Sequence, residues 1–264
     1  MISLSYGDLA LASLLVLLNA ALSFGLRLRL EGQLLIAAVR MVVQLGLVGL
    51  VLKALFTTVS PLLTGITALV MVLFAGREVF ARQEKRLGGW WTYGLGTASM
   101  LMAAMLVTAL ALTTQIQPDP WYHPRFAIPI LGMILGNTMT GIALGLNTLT
   151  TTISRERVAI EARLALGHPW RDAFGNVIRE AMRSGLIPIV NAMAATGLVS
   201  LPGMMTGQIL AGAEPMHAIQ YQLLIMFLIA GGTGLGVFMA VLVGAYRLTD
   251  SRHRLRLDRL HGSS

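Results

Sequence analysis

A succession of apolar runs, each near twenty residues, is what most constrains this chain, because together they leave no stretch long enough for a soluble domain. A hydrocarbon layer about 30 Å thick is crossed by roughly 20 apolar residues of helix. Runs of that size fall at residues 7–26, 34–56, 61–80, 93–116, 126–150, 185–210 and 218–246. Lipid offers no partner to a bare amide or carbonyl, so such runs must satisfy their own backbones as helices or as a closed barrel. Continuous apolarity, with no alternation, selects the helix. The expectation is an all-α, polytopic integral membrane protein with about seven transmembrane helices. Composition agrees: 12% of residues are charged and 55% hydrophobic, against about 25% charged in an ordinary soluble domain. Turn signals separate the runs at Ser60-Pro61, at Gly88-Gly89, and at Pro118, Pro120 and Pro124.

The twenty basic residues are distributed unevenly about these runs. Arg27 and Arg29 follow the first. Arg77, Arg82, Lys85 and Arg86 close the third, and Arg155, Arg157, Arg163, Arg171, Arg179 and Arg183 follow the fifth. Arg247, Arg252, Arg254, Arg256 and Arg259 follow the seventh, and Arg40 snorkels from the second toward the same side. Only Lys53 and Arg125 fall opposite. Lys and Arg concentrate on the cytoplasmic side, so the expected orientation puts the N-terminus outside and the C-terminus in the cytoplasm. Residues 9–26 exceed a typical signal-peptide core and are preceded by no Lys or Arg, so a retained first helix is expected. The formal charge of +8 is scattered between apolar runs rather than gathered on one face, which argues against nucleic acid as a partner.

Several chemistries are missing. There are no cysteines, hence no disulfide or thiolate site. No GxxxxGK[ST] loop is present to cradle a nucleotide. The Gly-rich stretch from Gly231 to Gly236 lies inside an apolar run and reads as close helix packing. His123, His168, His217, His253 and His261 are scattered without metal-ligand or triad spacing. Catalysis by this chain alone is not expected.

Three segments carry features beyond span formation. The connection at 154–184 is the longest and is expected to be cytoplasmic. Within it Val158, Ala162, Ala165 and Leu166 recur at helical spacing beside Arg157, Glu161 and Arg163, and Gly167 followed by Pro169 ends the pattern. This is a short amphipathic helix, suited either to the membrane surface or to docking on a cytoplasmic partner. In the fifth run Met133, Asn137, Thr140 and Gly141 fall at i, i+4, i+7 and i+8, so one helix face carries a polar amide within hydrocarbon. That face either packs against another helix or lines a path. In the sixth, Pro202 and Gly203 interrupt the helix beside Met204, Met205, Thr206 and Gln208, and Glu214 and Tyr221-Gln222 follow. Broken helices at membrane depth are tolerated where they line a cavity, although Met is equally a core filler and a proline kink needs no site. Arg40 and Gln44, four apart, share a face of the second run.

The runs Arg40-Met41-Val42-Val43-Gln44-Leu45, Gly132-Met133-Ile134-Leu135-Gly136-Asn137 and, above all, Leu201-Pro202-Gly203-Met204-Met205-Thr206-Gly207-Gln208-Ile209-Leu210 resemble the FetB family of ABC permeases. That family includes bacterial iron-export permeases and related plant aluminium-tolerance proteins, and the similarity spans essentially the whole chain. It implies one transmembrane permease domain over 1–264, in a bacterial inner membrane, with 154–184 as its cytoplasmic coupling loop. It further implies a separate FetA-like ATP-binding subunit, two permeases with two ATPases, and export of iron. ATP and Mg would enter through the partner, and this chain would bind no cofactor of its own. The Glu161-Ala162…Gly167 spacing resembles the ATPase-engaging loop motif of ABC permeases, which usually has a Pro about a dozen residues beyond the Gly; here the next is Pro188. The resemblance makes Glu161, Ala162 and Gly167 coupling residues. It makes Gln44, Met133, Asn137, Thr140, Pro202, Gly203, Met204, Met205, Gln208, Tyr221 and Gln222 candidates for a translocation path. Thioether sulfurs do not by themselves favour iron(II), which prefers oxygen and nitrogen ligands.

Two other classes compete. A secondary carrier or channel often places ionisable residues in mid-membrane, whereas Asp8, Glu31, Glu78, Glu84, Asp119 and Glu214 sit near run ends. A membrane scaffold without cargo would not need the interrupted sixth run.

Overall fold

The computed structural model describes residues 5–250 and 254–262, so the first four residues, Arg252 and His253 lie outside the described residues. The helices gather into two compact units, Met1–Val59 and Ser60–Ser264.

The first unit is a helical pair, α1 (Tyr6–Gly25) and α2 (Glu31–Thr58). A reciprocal capping box starts α1: Ser5 Oγ accepts from the Asp8 amide, and the Ser5 amide donates to Asp8 Oδ2 at 2.8 Å. Its exit is tied by Ser23, whose hydroxyl donates to Glu31 Oε2 and accepts from the Leu30 amide, both at 3.1 Å. Nearly every side chain of α2 is exposed; in water that would be untenable for so apolar a helix, and in lipid it costs nothing.

The second unit holds α3 (Pro61–Ala81), a short strand β1 (Lys85–Leu87), α4 (Trp91–Leu110) with a π-helical turn at Ala111–Ile116, and α5 (Pro124–Arg155). There follow α6 (Arg157–Ala165), α7 (Trp170–Ala173), α8 (Gly175–Ala195), α9 (Gly203–Leu210) and α10 (Pro215–Arg247). Strand β2 (Leu260–Gly262) then pairs antiparallel with β1, Lys85 opposite Gly262. Pro61 and Pro124 stand at the first turns of their helices, where a missing amide donor is harmless.

Helix α5 is the central post, packed closely against α10 and α8 and flanked by α3 and α4. Small residues set that closeness. A Cβ placed on Gly141 would lie 2.9 Å from the Gly185 carbonyl oxygen, and one on Gly185 would lie 2.7 Å from that of Gly141. Val237 of α10 closes on both. Further along, Gly232 and Gly236 of α10 meet Ile134 and Thr138, while Gly231 and Gly234 meet nothing within 4 Å. The core around these contacts includes Met100, Ile134, Ile142, Leu146, Leu149, Ile225 and Val237, all essentially inaccessible.

Six helices among the described residues are long and apolar enough to cross a membrane: Gly7–Gly25, Glu31–Thr58, Pro61–Ala81, Trp91–Ile116, Pro124–Arg155 and Pro215–Arg247. The expected helix at 185–210 is corrected. It is two helices, and α8 begins ten residues earlier, at Gly175. Arg179, Glu180 and Arg183 in its first half dilute the apolar signal. The interruption is also earlier than Pro202-Gly203 suggested. Helix α8 stops at Ala195, Gly197 takes the left-handed conformation at φ +93°, and the amides of Val199 and Ser200 both return to the Ala195 carbonyl. Pro202, in extended backbone, then caps α9. The connection at 154–184 holds the expected short helix as α6, followed by α7 and the first turns of α8.

Candidate functional site

Two regions hold the candidate residues of the second unit. The first is α6. Ile160, 2% exposed, and the partly buried Leu164 anchor one side of this helix to the core. The opposite side presents Val158 (79% exposed) and Leu166 (80% exposed), with Ala162 and Ala165 between them. Glu161 is half-buried and accepts from Arg157 Nε at 2.9 Å, one turn back. Gly167, at φ +88°, ends the helix: its amide returns to the Leu164 carbonyl and the His168 amide to that of Arg163. A residue with a side chain is strained at that φ. An apolar stripe is thus held outward on a helix whose other side is locked down.

The second region lies along α5, α9 and α10. Asn137 is exposed, and its Nδ2 donates to the Met133 carbonyl at 2.9 Å. Thr140 likewise donates to the Gly136 carbonyl at 3.1 Å. Gly141, expected on the same face, is instead buried at the α5–α8 contact; eight residues at about 100° each leave an 80° rotation, enough to carry it round the helix. In α9, Met204, Met205, Thr206 and Gln208 are half-buried, and Thr206 Oγ1 donates to the Pro202 carbonyl at 3.2 Å. Gly203 sits in open space at the first turn of α9, and the left-handed residue of the interruption is Gly197.

Helix α9 packs against α10, and buried acceptors occur on both. Gln208 Oε1 and Gln222 Oε1 are shielded from solvent and have no hydrogen-bond partner among the described residues. Tyr221, Met204 and Met133 border the core nearby in sequence or packing. Leaving a buried amide oxygen unpaired costs about 1–3 kcal/mol. Among the described residues no group of three His, Asp, Glu or Cys could hold a metal ion. Gln44 is exposed on α2, in the other compact unit.

Sequence reasoning missed three features. Thr138 and Thr233 are wholly buried, on α5 and α10, with hydroxyls that find no partner among the described residues. Gln83, 2% exposed, donates from Nε2 to the Ala143 carbonyl at 2.9 Å, while the Glu84 amide donates to Asn147 Oδ1, latching the loop after α3 onto α5. The tail beyond α10 folds back to β1, with Arg259 Nη1 donating to the Arg247 carbonyl and the Gly88 amide to that of Arg259, both at 2.6 Å. Only Gln83, a polar residue just beyond an apolar run, offered any signal.

Residues 6–249 match the family described as Uncharacterised protein family (UPF0014). The chain belongs to this family. The "UPF0014 membrane protein slr1647" of Synechocystis is 39% identical over 230 residues, 86% of each chain. The "Probable iron export permease protein FetB" of Escherichia coli is 34% identical over 255 residues, 96% of this chain and 95% of that one. The "Protein ALUMINUM SENSITIVE 3" of Arabidopsis thaliana is 33% identical over 222 residues, 84% of this chain and 79% of its own. No solved structure matches the chain. The resemblance carried by the Leu201–Leu210 stretch is therefore borne out, and so is the all-α membrane architecture. The UPF0014 match runs from the start of α1 to two residues past α10 and takes in α6 and the Thr196–Pro202 interruption.

Proposed function

We propose that this chain is the membrane-spanning permease subunit of an ATP-driven metal-ion exporter, with iron as cargo. It works with separate ATP-binding subunits, two permeases to two ATPases, in a bacterial inner membrane with the C-terminus cytoplasmic. The observation that carries the reading is α6. A helix anchored through Ile160, showing Val158 and Leu166 outward and closed at a left-handed Gly167, has the geometry of a knob that enters a groove on a partner. Likeness to the Escherichia coli iron export permease over nearly its full length supports the same reading. So does the concentration of Lys and Arg on the side that holds α6.

Motion of α6 would pass through Ile160 into the end of α5, and along α5 to α8 and α10 at the Gly141–Gly185–Val237 contact. The cargo path would run past Asn137, Met133, Gln208 and Gln222, where amide oxygens suit a hard cation and thioethers a softer one. Exposed Asn137 within a span calls for a protein or aqueous neighbour, which a second permease copy would supply. The test is to co-express the chain with its candidate ATPase, purify the complex and measure ATP turnover. Leu166→Asp and Gly167→Pro should lower stimulation at least about tenfold, the loss of roughly one buried apolar anchor, while leaving the permease folded. Metal uptake into inverted vesicles, compared across iron, manganese and zinc, addresses cargo. Transport that persists on an ion gradient without any ATPase would overturn the proposal.

A further inference from the structure

A groove of 590 Å³ opens where α7 and the first turns of α8 meet the last turn of α10. Its walls grade in chemistry. Ile178, Leu242 and Val243 form an apolar end. Trp170 and Tyr246 follow, ring edge to ring face at 6.0 Å. Arg171 tops the groove, its guanidinium 5.6 Å from the Trp170 ring, and it pairs with no carboxylate among the described residues. Ile178 is its buried floor while Leu242 and Val243 are exposed, so this apolar end is not covered by the chain itself.

The position is as informative as the lining. Helix α10 has 33 residues, about 50 Å at 1.5 Å each, against roughly 30 Å of hydrocarbon. The excess must leave the hydrocarbon, and Arg247, the charged residue closing the last turn, puts that end in the headgroup layer, where Trp and Tyr with one apolar and one polar edge concentrate. Arg247, stacked 4.3 Å over Trp91, and Arg179, one residue beyond Ile178, keep the surroundings positive. Asp172 and Glu180 are the acidic neighbours in sequence; both are exposed and neither lines the groove.

We infer that this groove binds an anionic phospholipid: acyl chain along Ile178, Leu242 and Val243, glycerol region between Trp170 and Tyr246, phosphate on Arg171. The order apolar, amphipathic, cationic matches a phospholipid read from tail to head, and a planar guanidinium can grip phosphate through two parallel donors. The inference is independent of the transport reading; only the leaflet, the cytoplasmic one, follows from the proposed orientation.

The test uses the full chain with Trp90, Trp91 and Trp121 changed to Phe, so that Trp170 alone emits. It is reconstituted in phosphatidylcholine vesicles carrying a minor fraction of either brominated phosphatidylglycerol or brominated phosphatidylcholine. The anionic quencher should act as if enriched about fivefold beside Trp170, the bias one Arg near a charged surface confers, and Arg171→Gln should remove the difference. Should the triple variant not fold, native mass spectrometry of wild type and Arg171→Gln with added phosphatidylglycerol gives the same comparison as a bound-lipid ratio. Equal quenching by both lipids, no quenching because protein covers the groove, or loss of the preference on adding inorganic phosphate alone would each overturn the assignment.

Discussion

Replacing Gly185 by Ala tests whether α5, α8 and α10 are held by backbone approach. The added Cβ would lie 2.7 Å from the Gly141 carbonyl oxygen and 2.8 Å from Val237 Cγ1. The carbonyl belongs to the rigid backbone of α5 and cannot turn aside as a side chain could. Relief to ordinary contact near 3.4 Å requires the two helices to separate by roughly 0.7 Å, which also loosens their neighbouring contacts. Overpacking of this kind costs about 1–3 kcal/mol, and the helix propensity gained on replacing Gly returns at most about 1 kcal/mol. A net loss of about 1–2 kcal/mol is expected. Reversible unfolding in mixed micelles, followed by tryptophan fluorescence, measures it. Gly203→Ala is the control, because its Cβ would meet nothing within 4 Å, and it should be neutral or mildly stabilising. If Gly185→Ala unfolds like wild type, or Gly203→Ala loses as much, the close-approach argument is wrong.

Gln222→Leu removes a buried amide whose oxygen has no partner among the described residues; it should leave unfolding unchanged or raise stability by about 1 kcal/mol, while metal transport in vesicles falls. Gly197→Ala places a side chain at φ +93° in the turn between α8 and α9 and should cost about 1–2 kcal/mol, with α9 gaining protease sensitivity before the rest. Asp258 has its pKa lowered to about 2 by a hydrogen bond from Arg256, two contacts at 2.8 Å. A depressed folded-state pKa means its contribution is complete above the usual carboxylate value and is lost as pH falls through about 2. Amide exchange at Leu260 should therefore be insensitive to that group from neutral pH to about 4 and accelerate only below it; an acceleration centred near neutrality would contradict this.

Much of the helical skeleton was legible because hydropathy sums over residues one at a time. The transfer of each side chain from water to lipid is a property of that side chain, so α1 to α5 and α10 were visible as runs. Punctuation was visible too where a residue carries its own conformational rule: Pro61 at a helix start, Gly167 at a helix end, and an interruption near Pro202. Even there the break was misplaced by nearly two turns, because Gly197 and Gly203 look alike in sequence and only the surrounding hydrogen bonds distinguish the left-handed one.

The amino-acid order by itself thus determined that this chain lives in a bilayer as helices, where its charge gathers, and which family signature it bears. Tertiary structure alone decided the pairings: Gly141 turned to Gly185 and away from Asn137, Gln83 latched to Ala143, and β2 laid beside β1. It also decided that the apolar stripe of α6 faces outward while Ile160 faces in. The reason is physical. Solvent preference belongs to one residue, but a contact belongs to two, and the second residue is chosen only when helices distant in the chain are brought together.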